Sequence, residues 1–342
     1  MYPLIRLRRN RKAAWLRDLV AETTLRVEDL VLPLFVVEGH NQRQEIKTLP
    51  DIYRLSIDQV IETARKAADL GIKAIALFPC VDQSLKNENG DEAYNLDNLM
   101  CRTIRSIKNA GIDIWIICDV ALDPYTTHGH DGVIHNGEVD NDKSVKALCN
   151  QALTLAKAGV DIVAPSDMMD GRIMAIREYL DKEHFINVGI LAYAAKYASS
   201  FYGLYRDAVG STKKTYLDKA SYQLDIRNIK EAMLEIEHDI AEGADMVMVK
   251  PGMMFLDVIR EAANNFNTKI FAYQITAEYA MLKFAANAGA IDFEKGLLES
   301  LISFKRAGAS GIFTYAALEA AELYLWYFKS WQAKLWDSSL LT

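Results

Sequence analysis

A short apolar run recurs eight times along the chain, at 30–37, 74–79, 113–120, 162–166, 187–194, 246–251, 270–275 and 311–315. Five of these runs share a lead-in: LGIKAIALFP, AGIDIWIICDV, AGVDIVAP, EGADMVMVKP and AGASGIFTY. In each, a glycine closes a helical stretch and a strand follows, because glycine adopts the left-handed conformation just past a helix end without steric cost. The segments between carry helical periodicity. Ile57, Val60, Ile61, Ala64, Ala67 and Ala68 share one face after the N-cap candidate Ser56, and Ile226, Ile229, Met233, Ile236 and Ile240 do so after Asp225. Continuous apolar strands alternating with helices imply a parallel sheet covered on both faces. Eight such units predict a closed (β/α)8 TIM barrel rather than an open doubly wound sheet. The chain lacks a GxGxxG after its first strand and a GxxxxGK[ST] anywhere, which removes support for dinucleotide and P-loop readings.

The chain of 342 residues suits one large α/β domain. A barrel over 30–342 is expected, preceded by an arm over 1–29. The arm's basic stretch Arg6–Lys12 is followed by an amphipathic turn with Trp15, Leu16, Leu19 and Val20, which suits docking on another subunit better than a processed transit peptide. A net charge of −7 gives no general attraction to nucleic acid or membrane surfaces. The four cysteines, Cys80, Cys101, Cys118 and Cys149, form no CxxC pair and no disulfide framework, so a reducing, cytoplasmic setting is expected.

Barrel enzymes place their chemistry at the C-terminal ends of the strands. Those ends here carry Phe78-Pro79, Asp119, Ser166-Asp167, Lys196, Lys250, Gln274-Ile275-Thr276 and Tyr315. Lys250 closes the apolar run Met246-Val-Met-Val-Lys-Pro251. Desolvation there favours the neutral amine that imine formation with a carbonyl compound requires. Taken alone it reads more readily as a lysine reaching out of a strand end to water. Lys196, on the neighbouring fifth strand, changes that balance: two converging amines disfavour each other's charge, so at least one should be neutral near pH 7.

Two connections exceed what a βα unit needs. Asp119 and the loop after it, with Asp123, His128, His130 and Asp131, suit either a divalent ion or a solvated active-site loop. The segment 199–224 interleaves Arg206, Lys213, Lys214 and Lys219 with aromatics, the composition of a lid that clamps an anionic substrate.

The stretches RLRRNRKAAWLRDLV, DVALDPYTTHGHDG, VAPSDMMDGR, YAAKYASSFYGLYRDA, MVKPGMMFLD and YQITAEYAML closely resemble the porphobilinogen synthase (5-aminolevulinate dehydratase) family over nearly the whole chain. The resemblance implies condensation of two 5-aminolevulinate molecules to porphobilinogen, for haem and other tetrapyrroles. It implies that Lys250 holds the substrate that becomes the propionate side and Lys196 the one that becomes the acetate side. By the same resemblance Arg206 and Lys219, with Gln223 beside them, take the acetate-side carboxylate. Thr276 and Tyr315 would take the propionate-side one, and Asp119 and Ser166 would line the pocket.

Departures from the family pattern refine this expectation. Where many members carry three zinc-binding cysteines, this chain has Ala121, Asp123 and Asp131. Alanine cannot ligate and aspartates are hard donors, so no active-site zinc is expected. The chain resembles the zinc-independent branch, whose members commonly bind an activating, allosteric Mg2+; the glutamate of that site matches Glu235, which periodicity alone places on a solvated helix face. The family's SGEY pattern is here Thr276-Ala-Glu-Tyr279, and its assembly, commonly a homo-octamer built from dimers, gives the arm a role. Two rival readings are another imine-forming barrel, class I aldolase-like, and a catalytically inert barrel kept for assembly.

Overall fold

The computed structural model describes residues 3–209 and 217–325, apart from the side chains of residues 206 and 207. All eight expected strands form. They are β1 (Leu30–Val36), β2 (Ala74–Pro79), β3 (Trp115–Val120), β4 (Ile162–Pro165), β5 (Gly189–Lys196), β6 (Met246–Lys250), β7 (Lys269–Gln274) and β8 (Gly311–Thr314). Each pairs in parallel with its sequence neighbour, and β8 returns to β1 with Leu30 opposite Ile312, which closes a (β/α)8 barrel. The five lead-in glycines, Gly71, Gly111, Gly159, Gly243 and Gly308, all adopt positive φ, between 63° and 113°. At Gly308 a side chain would also run into Ala263, whose Cβ lies 2.5 Å from the position of an added Cβ.

Boundaries shift by one or two residues, with consequences. β5 begins and ends two residues later than expected, so Lys196 is the last residue of the strand itself. Lys196 and Lys250 are then register partners across β5 and β6, beyond an irregularity between Val247 and Val249. Ser166 and Tyr315 each fall one residue past their strands.

Helices cover the barrel. The helix Ile57–Asp69 buries Val60, Ala64 and Ala67, as its periodicity requires. Ser56 sits at its N-cap, but its hydroxyl accepts from the Gln42 N–H at 2.8 Å and donates to Asp58 at 2.6 Å rather than capping the helix. The helix expected after Asp225 starts only at Ile229 and buries Ala232, Ile236 and Asp239. Ile226 and Ile229 are exposed rather than on its buried face, because Asp225 binds the backbone and guanidinium of Arg227 and holds the chain in a turn. Two antiparallel hairpins were not anticipated: Arg43–Glu45 with Tyr53–Leu55 beside β1, and Ile134–His135 with Glu138–Val139 inside the long loop after β3.

The first part of the arm stays off the core, whereas Leu25, Val27 and Asp29 at its end are buried. Its helical turns Leu7–Arg11 and Ala14–Leu19 bury no residue, and Leu4, Ile5, Leu7, Trp15 and Leu19 are all more than 60% exposed. Among the described residues no helix is long and apolar enough to cross a membrane.

Candidate active site

The C-terminal mouth of the barrel gathers the expected polar residues around two buried lysines. Lys250, the last residue of β6, is 4% exposed. Four phenol rings surround its amine: Tyr273 at 4.8 Å from Nζ to centroid, Tyr193 and Tyr205 at 5.0 Å, and Tyr202 at 5.6 Å. Burial, and then the charge of Lys196, bring the Lys250 amine down to about 7 against the opposing pull of Asp119, Asp123 and Asp131. The aromatic faces offer a cation some return, but not enough to replace lost water.

Lys196 is biased the other way. Its Nζ donates to Asp131 at 3.0 Å and to the carbonyl of Ser166. Burial would lower its basicity, yet Asp131, Asp123 and Asp119 outweigh burial and hold the amine above its ordinary value. Asp131 is also the acceptor for Lys219 at 2.7 Å and for the Tyr222 hydroxyl at 2.7 Å, while Lys219 lies 3.9 Å from Asp123. Despite its burial, the charges of Lys196 and Lys219 hold Asp131 well below the usual carboxylate range.

Asp119 at the end of β3 behaves as the opposite kind of acid. Burial, and then the neighbouring Asp123, push it up to about 7, and its Oδ1 has no hydrogen-bond partner among the described residues. Gln223 is buried and, with Ser166, Tyr202, Tyr205 and Lys219, lines the cleft into which both lysines open. Thr276 and Tyr315 do not line that cleft directly. The Tyr315 hydroxyl lies 3.0 Å from that of Tyr273, and its ring stacks on Phe35. Thr276 starts the helix Thr276–Asn287 with a fully buried hydroxyl that has no partner among the described residues. The side chain of Arg206, and Lys213 and Lys214 altogether, lie outside the described residues.

Glu235 departs from the expectation of a solvated face. It is half-buried on the helix Ile229–Ala241, and burial raises its carboxyl above the ordinary range while Arg172 works against that rise. It borders a separate cavity with Asn141, Asp170, Tyr222, Gln223 and Glu231. Periodicity missed this because the face it read as solvent is roofed by the connections from β3, β4 and β5.

Two features of the site escaped sequence reasoning. One is the tyrosine cage; the aromatics interleaved in YAAKYASSFYGLY signal three of its rings, and Tyr273 comes from β7. The other is Arg172, fully buried, which donates to both carboxylate oxygens of Asp239 at 3.0 Å and to the carbonyl of Tyr193 at 3.3 Å, with Asp167 at 3.7 Å. One guanidinium thereby joins the end of β4, a cage-bearing strand and the helix of Glu235.

A barrel mouth with a desolvated amine beside a charged one, ringed by phenols and carboxylates, defines a barrel enzyme equipped for amine chemistry on a carbonyl compound. Comparison with known proteins narrows the class. The family model for delta-aminolevulinic acid dehydratase matches residues 4–323. The delta-aminolevulinic acid dehydratase of Bradyrhizobium diazoefficiens is 54% identical over 318 residues, covering 93% of this chain and 90% of the relative. The one from Chlamydia pneumoniae is 46% identical, covering 93% and 96%. Among solved structures, the Toxoplasma gondii delta-aminolevulinic acid dehydratase (porphobilinogen synthase), in complex with the reaction product porphobilinogen, superposes with a TM-score of 0.91 at 47% identity over 93% of this chain and 91% of that one. The chain belongs to the delta-aminolevulinic acid dehydratase family.

Proposed function

We infer that the chain condenses two molecules of 5-aminolevulinate into porphobilinogen with loss of two waters, an early step of tetrapyrrole synthesis. The observation that carries this reading is the pairing of Lys196 and Lys250 across adjacent strands with their amines biased in opposite directions. Lys250 supplies the neutral amine. Its nitrogen adds to the ketone of the propionate-side substrate, and loss of water leaves the imine, a stronger electrophile than the ketone. Lys196, held by Asp131 and the Ser166 carbonyl, is the positive partner that engages the acetate-side substrate and yields a proton when its own imine forms. Asp119, poised near neutrality, exchanges protons with the amines and carbonyls in the cleft. Holding both substrates in one mouth converts a bimolecular encounter into a positioned one.

The substrate carboxylates have matching donors. Lys219 and Gln223, with Arg206, take the acetate-side carboxylate; Lys219 donates to Asp131, a carboxylate of the same kind. Thr276, whose hydroxyl has no partner among the described residues, and Tyr315 would serve the propionate-side carboxylate at the edge of the cleft.

A thiolate zinc site does not fit these residues. Ala121 has no donor atom, Asp131 is already engaged by two ammonium groups and a phenol, and Cys118 is buried with its thiol pushed far up by burial. No step is assigned to such an ion. Magnesium suits the oxygen donors beside Glu235, because it keeps most of its water and needs only one or two carboxylates. Among the described residues no three acidic, histidine or cysteine side chains converge on a metal position, so Glu235 would hold the ion alone with water completing its shell, and the ion would act on assembly and on the Arg172 network rather than in the cleft. The exposed apolar arm suits packing on a neighbouring subunit in an octamer of dimers, and the enzyme would work in the cytoplasm.

The test is porphobilinogen formation from 5-aminolevulinate by exhaustively chelated protein, with magnesium or zinc added back. Activity that survives chelation or returns with magnesium alone supports the reading. Recovery with zinc alone contradicts its metal assignment, and absence of product under every condition contradicts the activity.

A further inference from the structure

Glu278 is a fully buried carboxylate that lies outside the cleft, and the reaction scheme gives it no role. It sits in the first turn of the helix Thr276–Asn287. Its Oε2 accepts the N–H of Ile275 at 2.9 Å, the reach-back of an N3 glutamate to the N-cap backbone. A capping role requires nothing more. Yet its Oε1 accepts two further N–H groups from another part of the chain, Met253 at 2.8 Å and Met254 at 3.3 Å.

Those two residues belong to the turn that directly follows Lys250. The same turn is bound to the cage at other points. The Gly252 N–H donates to the carbonyl of Tyr273 at 2.8 Å, and the Lys250 carbonyl accepts from the Tyr197 N–H at 2.9 Å and the Tyr202 hydroxyl at 3.1 Å. No slack remains at Gly252, where an added Cβ would lie 2.5 Å from Phe304 Cε1 and 2.9 Å from the Tyr273 carbonyl oxygen. One carboxylate therefore ties the backbone beyond Lys250 to the backbone that presents Thr276.

We propose that Glu278 is a positioning residue that fixes the spacing between the Lys250 amine and the Thr276 hydroxyl, and so sets how one substrate molecule is held at its ketone and at its carboxylate together. This rests on the assignment of Lys250 as the imine lysine. Glu278 touches no substrate. It acts because a γ-keto acid has a fixed distance between its carbonyl and its carboxylate, and the two protein groups that meet them stand on different elements, one at the end of β6 and the other at the start of the helix Thr276–Asn287. Only an acceptor-only carboxylate serves three converging N–H donors. Burial has nevertheless pushed Glu278 up to about 7, opposed by those same backbone donors, so the junction loses its anion in mild acid.

The test uses the full chain with Glu278→Gln, which changes no volume but turns an NH2 group toward an N–H donor, and Glu278→Asp, which keeps the charge one methylene short. Each is assayed per folded active site, counted by borohydride trapping of saturating 5-aminolevulinate on Lys250. The expected result is a KM for 5-aminolevulinate raised about tenfold or more, with a pH dependence of trapping displaced from that of wild type and the melting transition still cooperative. A purely structural role would lower the melting temperature and leave KM and the trapping profile unchanged, which would overturn the proposal. Failure of both variants to fold would make Glu278 a folding residue and overturn it equally. Wild-type protein that forms no borohydride-trapped adduct at Lys250 would instead remove the assignment on which the proposal stands.

Discussion

Lys196 and Lys250 face each other as register partners on adjacent barrel strands, yet one amine is held above the ordinary lysine value and the other is brought down to about 7. The difference comes from their partners. Lys196 has a carboxylate at 3.0 Å, whereas Lys250 is surrounded by phenol rings. Removing the neutral nucleophile by Lys250→Ala should lower kcat by on the order of a thousandfold or more, measured as porphobilinogen formed.

The pH dependence follows from the same asymmetry. The imine needs unprotonated Lys250, so the rate of borohydride trapping at low substrate should fall about tenfold per pH unit below roughly 7 and level off above it. A profile still rising steeply past pH 9 would mean that Lys250 is solvated like an ordinary lysine.

Burial of that amine also has a stability signature. Below pH 7 Lys250 is charged in both folded and unfolded chains, and its desolvation cost is fully present. Between about 7 and the ordinary lysine value the unfolded chain binds a proton that the folded one does not, so stability rises with pH. Lys250→Met should therefore be more stable than wild type by a few kcal/mol near pH 6.5. That gain should shrink toward pH 9.5 in paired chemical denaturation curves.

Much of this architecture is legible in the sequence, for physical reasons. The glycine lead-ins mark strand starts because each demands a left-handed residue, and all five adopt one. Lys250 is legible because four apolar residues precede it without a break. What stays hidden depends on contacts between distant segments. Tyr193, Tyr202, Tyr205 and Tyr273 come from two stretches far apart in the sequence, and nothing in their spacing says that they share one amine. Glu235 reads as solvated because periodicity describes its own helix and not the connections that cover it. Ile226 reads as core because an isoleucine at helical spacing outweighs the short Asp225–Arg227 turn that places it outside.

The buried Arg172 offers a test away from the cleft. Its paired hydrogen bonds to Asp239, both 3.0 Å, use the guanidinium fork that lysine lacks. Arg172→Lys should cost roughly 3–5 kcal/mol in urea denaturation, since it leaves buried Asp239 and Asp167 poorly paired.

Asp131 should hold the segment around Lys219 and Tyr222 in place while substrate is absent, through two contacts of 2.7 Å. Asp131→Asn should speed amide hydrogen exchange in residues 217–224, and the difference from wild type should narrow once 5-aminolevulinate occupies the site.

The central claim is that Lys250 is the residue that captures the ketone, and peptide mapping after borohydride reduction tests it most directly. Wild-type protein mixed with 5-aminolevulinate, reduced and digested, should carry the adduct on Lys250, and Lys250→Ala should lose that adduct while still folding. Full porphobilinogen production by Lys250→Ala, or an adduct confined to Lys196, would contradict the account.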